Sequence, residues 1–228
     1  MQLRIDADFI AYRAAQSAEV ECNYNDFLTT VQSDTREAIK LFEAEIKRFK
    51  KKFQTRNLVL YFTSSRNFRK ELSPDYKGSR IKRKPCGYNA LLEYCWDKYQ
   101  CVKIDGLEAD DALGIACHGC KKDFVLISPD KDFKQIACRQ YDPLKGEERT
   151  ISPKAADAFF YRQILTGDPT DGYPGLKGIG EVKASAILNK GKHDLWGAVL
   201  AAYEAAGQTE EDALLQARLA RILRPTDF

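Results

Sequence analysis

The sequence predicts an α/β protein, with a mainly parallel central sheet flanked by helices and a small helical region at its C-terminal end. Three observations predict it. Short apolar runs recur between longer segments of helical periodicity, acidic residues follow the ends of those runs, and the texture changes after Gly167 to glycine- and proline-punctuated chain followed by Ala- and Leu-rich helices.

The strand candidates are Leu3 to Ile5, Leu58 to Phe62, Cys101 to Ile104 and Phe124 to Ile127, with Cys138 to Tyr141 a weaker fifth. Between them the pattern predicts helices at Phe9 to Ser17, Thr35 to Phe53, Tyr88 to Lys98, Ala109 to Cys117 and Ser152 to Leu165. In the second of these, Ile39, Phe42, Ile46, Phe49 and Phe53 form a stripe for the core, and Lys47, Arg48, Lys50, Lys51 and Lys52 give it a solvated basic end. The spacing divides the chain into a core at 1–166 and a helical region at 167–228 that packs tightly against it.

Composition narrows the class. With 44% hydrophobic and 30% charged residues in 228, the chain has a globular balance, unlike a disordered or membrane protein. Its longest apolar runs are far too short to span a bilayer. Seven cysteines, an odd number, and the absence of an apolar leader after Met1 predict a reducing cytoplasmic setting. The formal charge of +3 does not itself announce a nucleic-acid partner.

Local charge does. The segment 66–85 carries Arg66, Arg69, Lys70, Lys77, Arg80, Lys82, Arg83 and Lys84 against Glu71 and Asp75, eight cations less two acids or +6. Such a segment binds phosphates without regard to sequence, and we expect a short basic clamp over about 66–100. The helix Tyr88 to Lys98 leaves no room there for a large arch.

The acids carry the chemistry. Asp6 and Asp8 follow the first strand, Glu108, Asp110 and Asp111 the third, and Asp130 and Asp132 the fourth, with Asp168 and Asp171 further on. In an open parallel sheet, side chains beyond the carboxyl ends of the strands converge on one crevice. One such acid is more often a helix cap than a ligand, Asp8 and Asp111 above all, but so many at successive strand ends make sense if cations fill the crevice. Mg²⁺ takes oxygen ligands, and two ions about 4 Å apart suit phosphodiester hydrolysis.

At these residues the sequence resembles the 5′-nuclease (flap endonuclease-like) family, through Ile5-Asp6-Ala7-Asp8, Tyr76-Lys77-Gly78-Ser79-Arg80, Glu108-Ala109-Asp110-Asp111, Asp130-Lys131-Asp132 and Gly167-Asp168-Pro169-Thr170-Asp171, in order. NFRKEL (Asn67 to Leu72), SPDKDFK (Ser128 to Lys134), GDPTDGYPG (Gly167 to Gly175) and Thr209 to Arg224 extend the likeness to the gene-6-type 5′→3′ exonucleases of short-tailed lytic phages. The resemblance implies a PIN-like core with a helix-hairpin-helix subdomain. It implies Mg²⁺ or Mn²⁺, as two ions, one held by Asp6, Glu108 and Asp110 and the other by Asp130, Asp132 and Asp171, with Asp168, Asp111 and Asp8 supporting. Lys77 and Arg80 would grip the scissile phosphate and Tyr76 would stack on a terminal base, while Arg69 and Lys70 would meet DNA.

The turn Gly175-Leu176-Lys177-Gly178-Ile179-Gly180 would serve as the hairpin, with Gly178, Gly180, Lys177 and Lys183 on backbone phosphates and K⁺ at the turn. The implied partners are duplex DNA with a free or flapped 5′ end, RNA–DNA hybrid and replication proteins, in the host cytoplasm and away from membranes. The implied activity is 5′→3′ exonucleolysis in phage DNA replication, with flap and RNA-strand cleavage beside it.

One departure stands out. Tyr61-Phe62-Thr63-Ser64-Ser65 places Ser64 where the family has an Asp, so either the first ion binds more weakly or the chain is a catalytically impaired, structure-specific DNA-binding protein. A small endoribonuclease of similar architecture is a third reading, though it has no need of the glycine-rich turn. Cys117-His118-Gly119-Cys120 has half of a zinc spacing without a second pair, and reads as the buried end of a helix near Gly119. With only His118 and His193 in the chain, water activation falls to metal rather than to a histidine base.

Overall fold

A computed structural model describes residues 1–79, 83–191 and 193–227. Strand β1 (Gln2–Asp6) is followed by helix α1 (Ala7–Ser17), an antiparallel hairpin of β2 (Glu19–Asn25) and β3 (Leu28–Ser33), and α2 (Thr35–Lys52). Then come β4 (Leu58–Tyr61), the short α3 (Phe68–Leu72), α4 (Tyr88–Lys98), β5 (Cys101–Val102), α5 (Ala109–Cys117) and β6 (Phe124–Ile127). A 3-10 turn over Lys131–Gln135 leads to β7 (Arg139–Asp142), β8 (Glu147–Thr150), α6 (Pro153–Thr166), α7 (Glu181–Lys190), α8 (Leu195–Ala205) and α9 (Glu210–Ala220).

The main sheet runs β5-β4-β1-β6-β7-β8, parallel throughout except for the antiparallel edge strand β8. The chain builds outward from β1 to β4 and β5, then returns to the other side of β1 as β6. That reversal makes the β1/β6 edge a topological switch point, where ligands bind in open α/β sheets.

Alternation within the strands explains why these runs are apolar throughout. Leu58, Leu60, Val125 and Ile127 join Leu3 and Ile5 beneath α1, α2 and α4. Val59, Tyr61, Phe124 and Leu126 face the opposite side, toward α5. A strand buried on both faces has no polar phase, as parallel sheets require. Helix α2 presents the predicted stripe: Phe42, Ile46 and Phe49 are fully buried, and Asp34 caps its start by accepting from the Arg36 amide.

A third cluster joins Ile164 and Leu165 of α6 to Leu188, Val199, Tyr203 and Ala213 from the three helices that follow, and Tyr76 enters it from the basic segment. The inner face of α6 therefore belongs to the same apolar core as the C-terminal helices. Two glycines lock the connection between α6 and α7. Gly167 (φ 65°) and Gly175 (φ 61°) pass so closely that a Cβ on Gly175 would sit 2.3 Å from the Gly167 amide nitrogen.

The strands and helices read from the sequence are present, with β5 shorter than predicted because Ile104 turns to solvent. The hairpin β2–β3, the short α3 and the edge strand β8 come additionally. Among the described residues, no helix is long and apolar enough to cross a membrane.

Candidate active site

Because β1, β4, β5 and β6 are parallel, their carboxyl ends open on one edge, and the acids gather there. Asp6 ends β1, and its carboxylate accepts from the Ser128 hydroxyl at the end of β6, 2.8 Å away. The same hydroxyl accepts from the Asp130 amide at 3.1 Å, so Ser128 ties the two neighbouring strand ends together. Asp130 caps the following 3-10 turn by accepting from the Asp132 amide, and Gln163 of α6 donates to Asp132 at 2.8 Å.

From the other side Lys77 enters the crevice in the left-handed conformation (φ 54°), its amide bonded to the Asp171 carbonyl. Its ammonium lies 2.5 Å from Glu108 and 3.7 Å from Asp171. Tyr76 donates to Glu108 at 3.0 Å. Asp168 pairs with Lys131 at 2.8 Å and caps the turn at Thr170, a supporting position.

Several predicted site residues occupy other roles. Asp111, predicted as a ligand, is fully buried in the first turn of α5. Both of its oxygens accept from the Arg69 guanidinium at 2.7 Å, and it also accepts from the Glu108 and Leu223 amides. Its lone pairs are spent inside the protein, which removes it from the ligand set.

Arg69, predicted to meet DNA, is turned inward for the same reason: it retains 2% of its surface and donates to Asp111, Glu108 and the Leu219 and Arg221 carbonyls. Tyr76, predicted to stack on a base, is buried against the C-terminal core. Asp8 accepts from the Thr63 amide and the Tyr88 hydroxyl, as an ordinary buttress. Ser64 donates to Asp105 at 3.2 Å, and Asp105 in turn pairs with Arg66.

Lys70, Lys177, Gly178, Gly180 and Lys183 are exposed, and the Lys183 ammonium donates to the Gly178 carbonyl. Arg80 lies outside the described residues. The roles of Ser128 and Gln163 were not predicted. Ser128 had a signal in its position one step past an apolar strand; Gln163 had none, since its partner is 31 residues away in sequence.

The electrostatics follow from crowding. Burial and the neighbouring Asp8 push the Asp6 carboxyl up to about 7, and burial with Asp130 does the same to Asp132. Asp110 is driven well above the usual carboxylate range by desolvation and by Asp130 and Asp6. Burial would raise Glu108 too, but Lys77 and Arg69 outweigh it and hold Glu108 below its ordinary value. Desolvation works against the charged form of Lys77, yet Glu108, Asp110 and Asp171 raise it, so it stays an ammonium.

The crevice thus gathers Asp6, Glu108, Asp110, Asp130, Asp132 and Asp171 about Lys77, a hard-oxygen set in which the acids outnumber the cations among the described residues. Among the described residues no three His, Cys, Asp or Glu side chains are gathered tightly enough to cage an ion as they stand. Cys117 and Cys120 are bonded instead to the Arg4 guanidinium, at 3.7 and 3.3 Å.

A mainly parallel α/β sheet with acids and Lys77 at its switch point defines a nuclease-type site, and comparison with known proteins agrees. Residues 2–160 match the family described as 5′-3′ exonuclease, N-terminal resolvase-like domain, and the chain belongs to that family of nucleases. It is 30% identical to the exonuclease of Escherichia phage T7, over 99% of this chain and 89% of that protein. It is equally 30% identical to the exodeoxyribonuclease of Enterobacteria phage T3, over 99% of this chain and 88% of the relative. In fold it resembles the bacteriophage T5 flap endonuclease, solved as a pseudo-enzyme–product complex with DNA and metal ions, at a TM-score of 0.67 and 17% identity over 99% of this chain and 89% of that one.

Proposed function

We propose that the protein is a divalent-metal-dependent 5′→3′ exonuclease of double-stranded DNA, acting in phage DNA replication. The observation that carries this reading is the six-acid crevice with Lys77 as its inserted cation. Asp6, Glu108 and Asp110 would hold one Mg²⁺ (or Mn²⁺) and Asp130, Asp132 and Asp171 a second, with Asp168 supporting. A hydrated ion needs few direct carboxylate bonds, so the open spacing of the acids fits it. Once bound, such ions supply an ionised water and a Lewis acid for the departing oxygen.

The chain's own groups do the rest. Ser128 and Gln163 orient Asp6 and Asp132, so their carboxylates do not have to reorganise as substrate arrives. The Lys77 ammonium, held at the crevice mouth by Glu108, can move onto a non-bridging oxygen of the scissile phosphate and stabilise its developing charge. Arg80 is proposed as its partner.

The exposed amides near Gly178 and Gly180, with Lys177, Lys183 and Lys70, would hold duplex phosphates in a helix-hairpin-helix manner, with K⁺ at the turn, and the chain divides functionally at 166/167. Flap cleavage and removal of an RNA strand from a hybrid are side activities of the same site. The acid set assembles without a carboxylate at Ser64, so no observation favours an inactive binder.

The test is a 5′-labelled blunt duplex incubated with Mg²⁺. Short labelled products should appear at once and EDTA should stop them; label released only after digestion from the 3′ end would reject the polarity.

A further inference from the structure

A groove of about 440 Å³ lies between α3, α6, α8, α9 and the C-terminal tail, away from the acids. Phe68, Phe160, Tyr161 and Trp196 line it, and Arg218 and Arg221 stand with them. Its size suits one small ligand. The Phe160 and Tyr161 rings are tilted at 57° to each other with centroids 5.2 Å apart, and the Arg221 guanidinium sits 4.6 Å over the Phe160 ring. Asp227 fixes that guanidinium through two bonds of 2.9 Å and adds a carboxylate to the lining. Arg218 is exposed and has no acidic partner among the described residues.

Aromatic walls and the exposed Arg218 cation match two parts of a nucleotide, a base with a π-face and a phosphate. The groove also connects to the nuclease crevice through one side chain. Phe68 precedes Arg69, whose guanidinium reaches Glu108 and Asp111 at one end and the carbonyls of Leu219 and Arg221 at the other.

We propose that this groove binds an unpaired nucleotide of the DNA substrate, so that the enzyme senses a single-stranded extension next to the duplex it cuts. The inference rests on the reading that the protein acts on duplex DNA. An acidic peptide is the competing occupant, and it would use the arginines without needing the aromatic walls.

Trp196 is a built-in reporter, since Trp96 is the only other tryptophan and a W96F protein leaves it alone. The experiment titrates the W96F protein, in EDTA so that nothing is cut, with a blunt duplex, with duplexes carrying a short 5′ or 3′ extension, and with an acidic peptide. One extension should change Trp196 emission and bind about tenfold tighter than the blunt duplex, the effect of roughly one stacked base. Arg218→Glu and, separately, Tyr161→Leu should remove that preference while leaving blunt-duplex affinity and Mg²⁺-supported cleavage unchanged.

Equal affinity for blunt and extended duplexes, or a preference that survives both substitutions, would overturn the groove alone while the nuclease reading stood. A Trp196 response to the peptide and not to extended DNA would overturn it in favour of a protein ligand. Failure to bind or cut any duplex would overturn both readings.

Discussion

At the scale of single residues, the site is divided between acids that repel one another and acids that are paired, and substitution should separate the two kinds. Asp111 is buried and bonded to Arg69, so Asp111→Ala leaves a buried guanidinium without its partner and should cost about 3–5 kcal/mol in denaturant unfolding. Asp130 faces the other crevice acids, with Asp110 and Asp132 raised in part by its charge, so Asp130→Asn relieves repulsion. It should raise metal-free stability by ~1 kcal/mol while cleavage is lost, a separation of stability from activity typical of crowded sites. Lys77→Met should lower single-turnover cleavage about 100–1000-fold with little change in duplex affinity.

The raised carboxyls set a pH dependence as well. Asp6 and Asp132 titrate near 7 in the folded protein and near their ordinary value when unfolded, so between those limits the folded state binds more protons. Stability in EDTA should therefore fall as pH rises from about 4 to about 7, a trend thermal unfolding will show, and saturating Mg²⁺ should flatten it. These roles are only partly legible in sequence. The acids at strand ends declare themselves by position, but Asp110 and Asp111 are adjacent in one motif and have different surroundings, Asp110 the crevice acids and Asp111 the buried Arg69 some 40 residues earlier.

At the scale of elements, the glycine-rich connection between α6 and α7 has two kinds of glycine. Gly175→Ala would drive a Cβ into the Gly167 backbone and should unfold the C-terminal helices. Gly178 also has positive φ (79°), but open space surrounds it, so Gly178→Ala should cost only roughly 1 kcal/mol and leave DNA binding measurable. Lys183→Ala should then reduce the salt slope of duplex binding by about one.

Helices with a clear stripe, such as α2, and strands with two buried faces were legible because burial dictates their pattern. The hairpin β2–β3 was not, because it is exposed: Val20, Tyr24, Phe27 and Leu28 all face solvent, so no buried phase marks it. It is tied to the basic segment through Glu19, which pairs with Arg83 at 2.6 Å and accepts from the Cys86 amide, and through the Val31 carbonyl, which accepts from the Cys86 thiol. The basic segment was legible as charge but not as shape. Charge counting cannot see that Arg69 and Tyr76 fold inward to build the C-terminal core, leaving Lys70 outside.

At the scale of the whole molecule, a parallel sheet brings four strand ends to one edge, and two loops joined by the Lys77 amide and the Asp171 carbonyl, one from the basic segment and one between α6 and α7, border the crevice. The arrangement concentrates negative charge where a polyanionic substrate must bind, which is self-defeating unless cations intervene. Metal binding by the six acids would resolve that conflict, and calorimetric titration of Mn²⁺ into the protein without DNA measures it. Saturable binding to two sites is expected, with the Asp130→Ala protein losing at least one of them; no saturable binding, or an isotherm unchanged by that substitution, would rule out a two-metal centre built on these acids.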